Sequence, residues 1–276
     1  MYYMFAESKL KEIDVSNFNT SNATDMCGMF QEMTVTEIKG LENFDTSKVT
    51  NMSQMFYNNK ATSLNLNSFD TSKVTSMYMM FNGSSATEIK GLEKFDTSNV
   101  KDFDYMFQGA SVSTLDVSNF NTSKAVSMRY MFSSDKIYEI KGLDSFNTSK
   151  VDSMRGMFRN VRMTSLDLSS FDTSKVTNMN DMFSHTNLVT LDLSSFNTSK
   201  VTDMKEMFYW STSLTTIYAS EKFDVSNVTS SDYMFCMNMK LVGGNGTAYA
   251  GTAKTDKTYA RIDTADSPGY FTLKSN

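Results

Sequence analysis

Hydrophobic positions along this chain follow one rule, repeated from end to end. In residues 188–208, Leu188, Leu191, Leu193 and Phe196 read L-x-x-L-x-L-x-x-F, and the alternation at 191 and 193 is the period of a short strand. Val201, Met204, Met207 and Phe208 follow at i, i+3, i+6 and i+7, which places them on one face of a short helix or 3₁₀ segment. Asn197, Thr198 and Ser199 stand where that helix would begin, and their side-chain oxygens can accept from its first free N–H groups. Each unit is therefore expected to run strand, capped turn, short helix, return.

The unit recurs with a period of 25 or 26 residues, once 27. Phe-Asp/Asn-Thr-Ser starts at Phe18, Phe44, Phe69, Phe95, Phe120, Phe146, Phe171 and Phe196, with the variant FDVS at Phe223. Twelve residues after each comes the Phe of a Met-Phe pair, from Phe30 to Phe235, and Met4-Phe5 precedes them all. These slots hold nineteen of the 21 Phe residues, so phenylalanine is a structural ladder. Repetition on this scale marks a solenoid in which each unit buries its apolar edge against the next. The expected fold is a right-handed α/β solenoid of about nine coils, with a parallel β-sheet on one face and short helices on the other. Residues 1–235 form the array, and residues 236–276, where the pattern dissolves after Phe235, form a C-terminal cap in which Tyr259, Ile262, Tyr270 and Phe271 cover the last coil. The chain opens in mid-unit, Met1 to Phe5 matching Met26 to Phe30, which suggests a piece of a longer protein.

Units two, four and six share a longer form, E-I-K-G-L, at Glu37–Leu41, Glu88–Leu92 and Glu139–Leu143. The added residue and its Gly predict a bulge or widened bend after the strand. Lys39, Lys90 and Lys141 then fall between acidic or amide neighbours on the outer face of the sheet, which keeps like charges apart.

Composition removes several chemistries. Of 23 Met residues, eighteen occupy ladder slots and read as core filling rather than a metal site. A net charge of -5 argues against nucleic acid or an anionic membrane surface as partner, and no apolar run is long enough to cross a bilayer. Cys27 and Cys236 lie eight coils apart and are not expected to pair. His185 is the only histidine, which rules out histidine metal clusters. The alternating Asp/Asn slot, from Asn19 to Asp224, needs only a side-chain oxygen and reads as a cap or Asx-turn rather than a calcium ladder. No cofactor, metal or catalytic residue is expected.

The motif L-D-L-S-S-F-D-T-S-K-V-T-N-M-x-x-M-F, whole at Leu166 to Phe183, resembles the BspA-like leucine-rich-repeat surface proteins of bacteria, a repeat also found among mycoplasma lipoproteins. The ending LVGGNGTAY to PGYFT is similar to the segment that closes such arrays in Gram-positive members, although the Cys common after Met-Phe in related repeats is mostly replaced here. The resemblance implies an extracellular, cell-surface or wall-attached monomer that meets a protein or glycan ligand on host or other cells, with no catalytic residues to carry over. A structural spacer that displays another domain is the alternative. Repeats differ most just after Met-Phe, and there units six to eight bring Arg159, Arg162, His185, Tyr209 and Trp210 to one edge. These residue types are enriched at binding hot spots, and the five are the candidate ligand-binding residues.

Overall fold

The computed structural model describes residues 1–274. They fall into two compact units, Met1–Ala125 with Met131–Ser145, and Val126–Tyr130 with the described residues from Phe146 onward. Each is a parallel β-solenoid. In the first, β1 (Ser63–Asn65) pairs with β2 (Glu88–Lys90) and β3 (Thr114–Asp116) with β4 (Glu139–Lys141). In the second, β5 (Thr190–Asp192), β6 (Thr216–Ala219) and β7 (Phe271–Leu273) lie side by side in that order. The registers set the central aliphatics opposite one another: Leu64 and Ile89, Leu115 and Ile140, Leu191 and Ile217. Lys39, Lys90 and Lys141 accordingly sit opposite Asp14, Asn65 and Asp116. Leu166, expected at the centre of a strand, lies outside any strand.

The expected helices are not there. Among the described residues no α-helix forms, and 3₁₀ structure is confined to three-residue turns. The segment from Met204 to Trp210 shows why. The N–H groups of Met204, Glu206, Phe208 and Trp210 donate to Ser230, Asp232, Met234 and Cys236 in the next coil at 2.8–3.0 Å. Between them, Met207 and Tyr209 close three-residue turns onto Met204 and Glu206. An α-helix would need each N–H for the carbonyl four residues back. Here every second donor is already committed to the neighbouring coil, and Glu206, at φ 57°, takes the left-handed conformation that interrupts a right-handed helix. The i, i+3 spacing of Val, Met and Met is real, but it arises from two consecutive turns. Parallel bridges mark the start of this segment in both units, Asp25 to Asn51 to Ser76 to Asp102 in the first and Ser127 to Ser153 to Asn178 to Asp203 to Ser230 in the second.

Phenylalanine forms the core ladder. In the first unit the rings of Phe5, Phe30, Phe56, Phe81, Phe107 and Phe132 follow one another at 5.5–6.1 Å between centroids. In the second, Phe158, Phe183, Phe208 and Phe235 do so at 5.3–6.0 Å. Nearly parallel, offset rings at this spacing gain stacking energy beyond the area they bury. The ladder methionines Met26, Met52 and Met77 are fully buried beside them, whereas Met4 is 51% exposed.

Polar side chains satisfy the backbone between the apolar rows. Asn19, Asp45, Asp70, Asp96 and Asn121 each accept through Oδ1 from the N–H two residues on, at 2.9–3.1 Å, and Asn147, Asp172, Asn197 and Asp224 repeat this in the second unit at 2.8–3.1 Å. They are Asx-turns, not helix caps. The adjoining Thr is buried and bonds coil to coil: Thr46 Oγ1 donates to Asp70 O, Thr71 to Asp96 O and Thr173 to Asn197 O, each at 2.9 Å. In the E-I-K-G-L units, Gly40, Gly91 and Gly142 adopt φ of 88–90° and lead into 3₁₀ turns at Leu41–Asn43, Leu92–Lys94 and Leu143–Ser145, which is the widened bend the sequence predicts.

Beyond residue 235, β7 adds a strand to β6, and Tyr270 and Phe271 are buried against Phe235 with centroids 5.1 and 6.0 Å away. Asp263 ties this segment together. Its carboxylate accepts from the N–H groups of Asn245, Thr247 and Gly269 and from the Thr247 hydroxyl at 2.7–3.1 Å.

Candidate interaction surface

Two left-handed residues per coil build the edge on which the candidate residues stand. One column occupies the slot just before Met-Phe and includes Gly156 (φ 60°), Asp181 (62°), Glu206 (57°) and Tyr233 (58°) in the second unit. The other lies two residues after the Phe and includes Asn160 (66°), His185 (58°), Trp210 (57°) and Met237 (69°). Backbone bonds set the second column in register: Asn160 N donates to Ser184 O at 2.9 Å, His185 N to Tyr209 O at 2.8 Å and Trp210 N to Cys236 O at 2.9 Å. Non-glycine residues bear a cost in this conformation, about 1 kcal/mol each, which the inter-coil bonds offset.

The segments after Met-Phe are not slack loops. Val161, Ser184, Thr186 and Ser211 point inward and are buried, with Thr186 and Ser211 sharing a hydroxyl bond at 3.1 Å. The remaining side chains point out. The His185 imidazole stacks on the Trp210 indole, 6.2 Å between centroids at 20°, and meets Tyr209 edge-on at 5.3 Å. Tyr209 and Trp210 lie 5.9 Å apart, so the three rings form one cluster. Arg159 stands beside it, its Nε 3.6 Å from Asp181 Oδ1, which also accepts from Ser184 Oγ at 2.6 Å. Burial lowers the pKa of His185, and the Arg159 guanidinium adds to this; Asp181 and Glu206 oppose it, and Arg162 contributes a smaller lowering. The ring is thus held neutral at neutral pH. Arg162 is exposed and donates to Asn187 Oδ1 at 3.5 Å.

Asp181 and Glu206 belong to this surface and are missing from the sequence-based set. Their signal is nevertheless present. The slot before Met-Phe holds Gly28 and Gly156 in two coils, and glycine there marks a left-handed position, which Asp181 fills at 9% exposure and Glu206 half-buried.

A concavity of about 880 Å³ runs past Asp167, Asp192, Ser194, Lys222 and Lys274 in the second unit. Its two aspartates are engaged within the fold: Asp167 accepts from Ser169, and Asp192 accepts from Ser194 N and pairs with Lys274 at 3.0 Å. Among the described residues no group of three or more His, Cys, Asp or Glu is placed to hold a metal, and no helix is long and apolar enough to cross a membrane. Cys27 and Cys236 are both buried free thiols.

No curated protein and no solved structure matches the chain. A family model does, in three overlapping stretches, residues 1–39, 29–139 and 135–243, which together take in most of the sequence. Those stretches coincide with the repeating Phe and Met slots and end near the point where the repeat dissolves. The chain therefore belongs to the family described as Mycoplasma protein of unknown function, DUF285.

Proposed function

We propose that the protein is a non-enzymatic interaction protein of a bacterial cell surface, which adheres to a protein or glycan ligand on host or neighbouring cells through its solenoid edge. One observation carries this reading. In the repeating slots polar groups are taken up within each coil by the Asx-turns and from coil to coil by the threonine and backbone ladders. The cluster of Arg159, Asp181, His185, Tyr209 and Trp210 is instead a local arrangement of unlike side chains, with Trp210 45% exposed. Preformed aromatic and arginine groups of this kind supply contact area at little ordering cost. The sole histidine packs against the rings of Tyr209 and Trp210.

The same reading keeps nine right-handed coils of leucine-rich-repeat type and the kinship to BspA-like surface proteins, for which the Leu166–Phe183 motif and the unbroken Phe period speak. It also places the protein outside the cell as a monomer. The alternative, a spacer that holds another domain away from the cell, draws on the self-contained ladders. A screen of the purified chain against immobilised matrix proteins, glycans and host cells separates the two. Saturable binding to any of them is expected; absence of binding across the whole screen would leave the spacer.

A further inference from the structure

The coil segment from the second to the seventh residue after each Met-Phe pair differs sharply between the two units. In the second unit it reads NVRMTS at 160–165, HTNLVT at 185–190, WSTSLT at 210–215 and MNMKLV at 237–242, without a single Asp or Glu. Of the six corresponding segments of the first unit, 58–63 and 109–114 are likewise free of acid, and the other four hold Glu7, Glu12, Glu32, Glu37, Glu88, Asp135 and Glu139. In a chain of net charge -5, an acid-free strip carrying Arg162 and Lys240 departs from the average. Both cations are exposed, and neither has a carboxylate within 4 Å among the described residues.

The strip also holds four of the seven large hydrophobic residues that the second unit exposes among its described residues, with Val126, Tyr233 and Leu273 outside it. Val189 (41%), Met239 (63%) and Val242 (41%) join Trp210 as exposed residues. Backbone bonds hold them in rows: Thr215 N donates to Val189 O at 2.9 Å and Val242 N to Thr215 O at 3.0 Å, one coil apart each. At about 4.8 Å per coil, Val189 and Val242 lie about 10 Å from each other along one edge. Exposed apolar residues scattered singly need no explanation, but a group along one edge marks an interaction site. Met, Trp, Tyr and Arg are the types that enrich the core of protein interfaces, whereas acidic residues are depleted there.

We infer that this strip docks a protein segment that is acidic and carries apolar or aromatic side chains: apolar groups to cover Val189, Trp210, Met239 and Val242, and carboxylates to meet Arg162 and Lys240. A carboxylate can engage Arg162 through two parallel hydrogen bonds. An anionic membrane is disfavoured as occupant, because an extended anionic surface meets the net charge of -5 of the chain as a whole, whereas a short acidic segment meets only the acid-free strip with Arg162 and Lys240. This inference rests on the interaction reading above and narrows its ligand to a class of peptide.

Panning a random dodecapeptide display library on the immobilised full chain tests it. Enrichment of sequences combining Asp or Glu with aromatic or aliphatic residues is expected. The most enriched peptide, labelled and titrated by fluorescence anisotropy, should bind Val189→Ser/Val242→Ser and Trp210→Ala about tenfold or more weakly. Arg162→Gln/Lys240→Gln should weaken binding and flatten its salt dependence. All substituted side chains are exposed, so unchanged circular dichroism melts are expected for each variant. No enrichment, enrichment of basic peptides, or affinity unchanged in all three variants would overturn the inference. So would retention on phosphatidylcholine/phosphatidylserine vesicles in place of peptide binding. If peptides fail while whole-cell binding still depends on Tyr209 and Trp210, only the peptide class falls and the interaction reading stands.

Discussion

Phe120 shows how much one rung of the ladder carries. It is 3% exposed and stacks on Phe103 at 6.1 Å, the one place where Phe replaces a ladder methionine. Phe120→Ala should cost about 3–5 kcal/mol, because neighbouring coils are fixed by their backbone bonds and cannot collapse into the space. Its neighbour behaves oppositely. Asn121 Oδ1 accepts from Ser123 N at 3.0 Å, as the aspartates of other coils do from theirs, so Asn121→Asp should be nearly neutral in a thermal melt. At His185 the lowered pKa predicts an NMR titration midpoint below 6.5; a midpoint at or above that value would contradict the burial and the Arg159 proximity. These residue roles were uneven in legibility. The Phe slots and the Asx slot are plain in the sequence because every coil repeats them. The buried Thr of Phe-Asp/Asn-Thr-Ser is not, because its role depends on a carbonyl a full coil away. The slot of Asp181 is marked by the glycines of other coils, but its pairing with Arg159 is hidden, since nothing near it in sequence announces that partner.

Single elements are where the sequence pattern misleads. Val201, Met204 and Met207 satisfy a helical spacing, yet a chain whose alternate N–H groups bond to the next coil has too few donors left for a helix. Far-UV circular dichroism should accordingly show strand and turn without a helical double minimum. The E-I-K-G-L bend was read correctly because glycine there has a steric cause. At Gly91, φ is 90° and an added Cβ would come within 2.7 Å of the Leu66 carbonyl carbon and oxygen in the preceding coil. Gly91→Ala should therefore lose about 1–3 kcal/mol to backbone strain, with the overlap adding to it. Gly246, at φ 93° with nothing within 4 Å, supplies the control: Gly246→Ala has the strain without the overlap and should lose less. Equal losses in chemical denaturation would remove the close approach of coils as the reason for this glycine.

Across the whole molecule, the repeated Asx-turns couple the fold to pH. At Asp45, Asp70, Asp116, Asp167 and Asp172 the hydroxyl and backbone bonds from the following Ser residues lower the carboxyl pKa in the folded chain. A folded pKa below the unfolded value, about 3.9, gives stability that is present above that pH and lost as pH falls through the folded pKa. Melting temperature should thus drop on acidification below about pH 4, and Asp45→Asn with Asp70→Asn should make that drop shallower. The parallel solenoid was legible at this scale from its period alone, whereas the division into two units and the acid-free edge of the second have no counterpart in the repeat, which treats all coils alike. The functional account rests on that edge, and one measurement tests it most directly: retention of host cells on surfaces coated with the wild-type chain, with Tyr209→Ala/Trp210→Ala, and with Lys39→Ala/Lys90→Ala/Lys141→Ala. The account predicts that the edge variant loses most of the cells while the sheet-face variant holds as many as wild type. Undiminished retention by the edge variant, with loss in the lysine variant, would contradict it and move the site to the sheet.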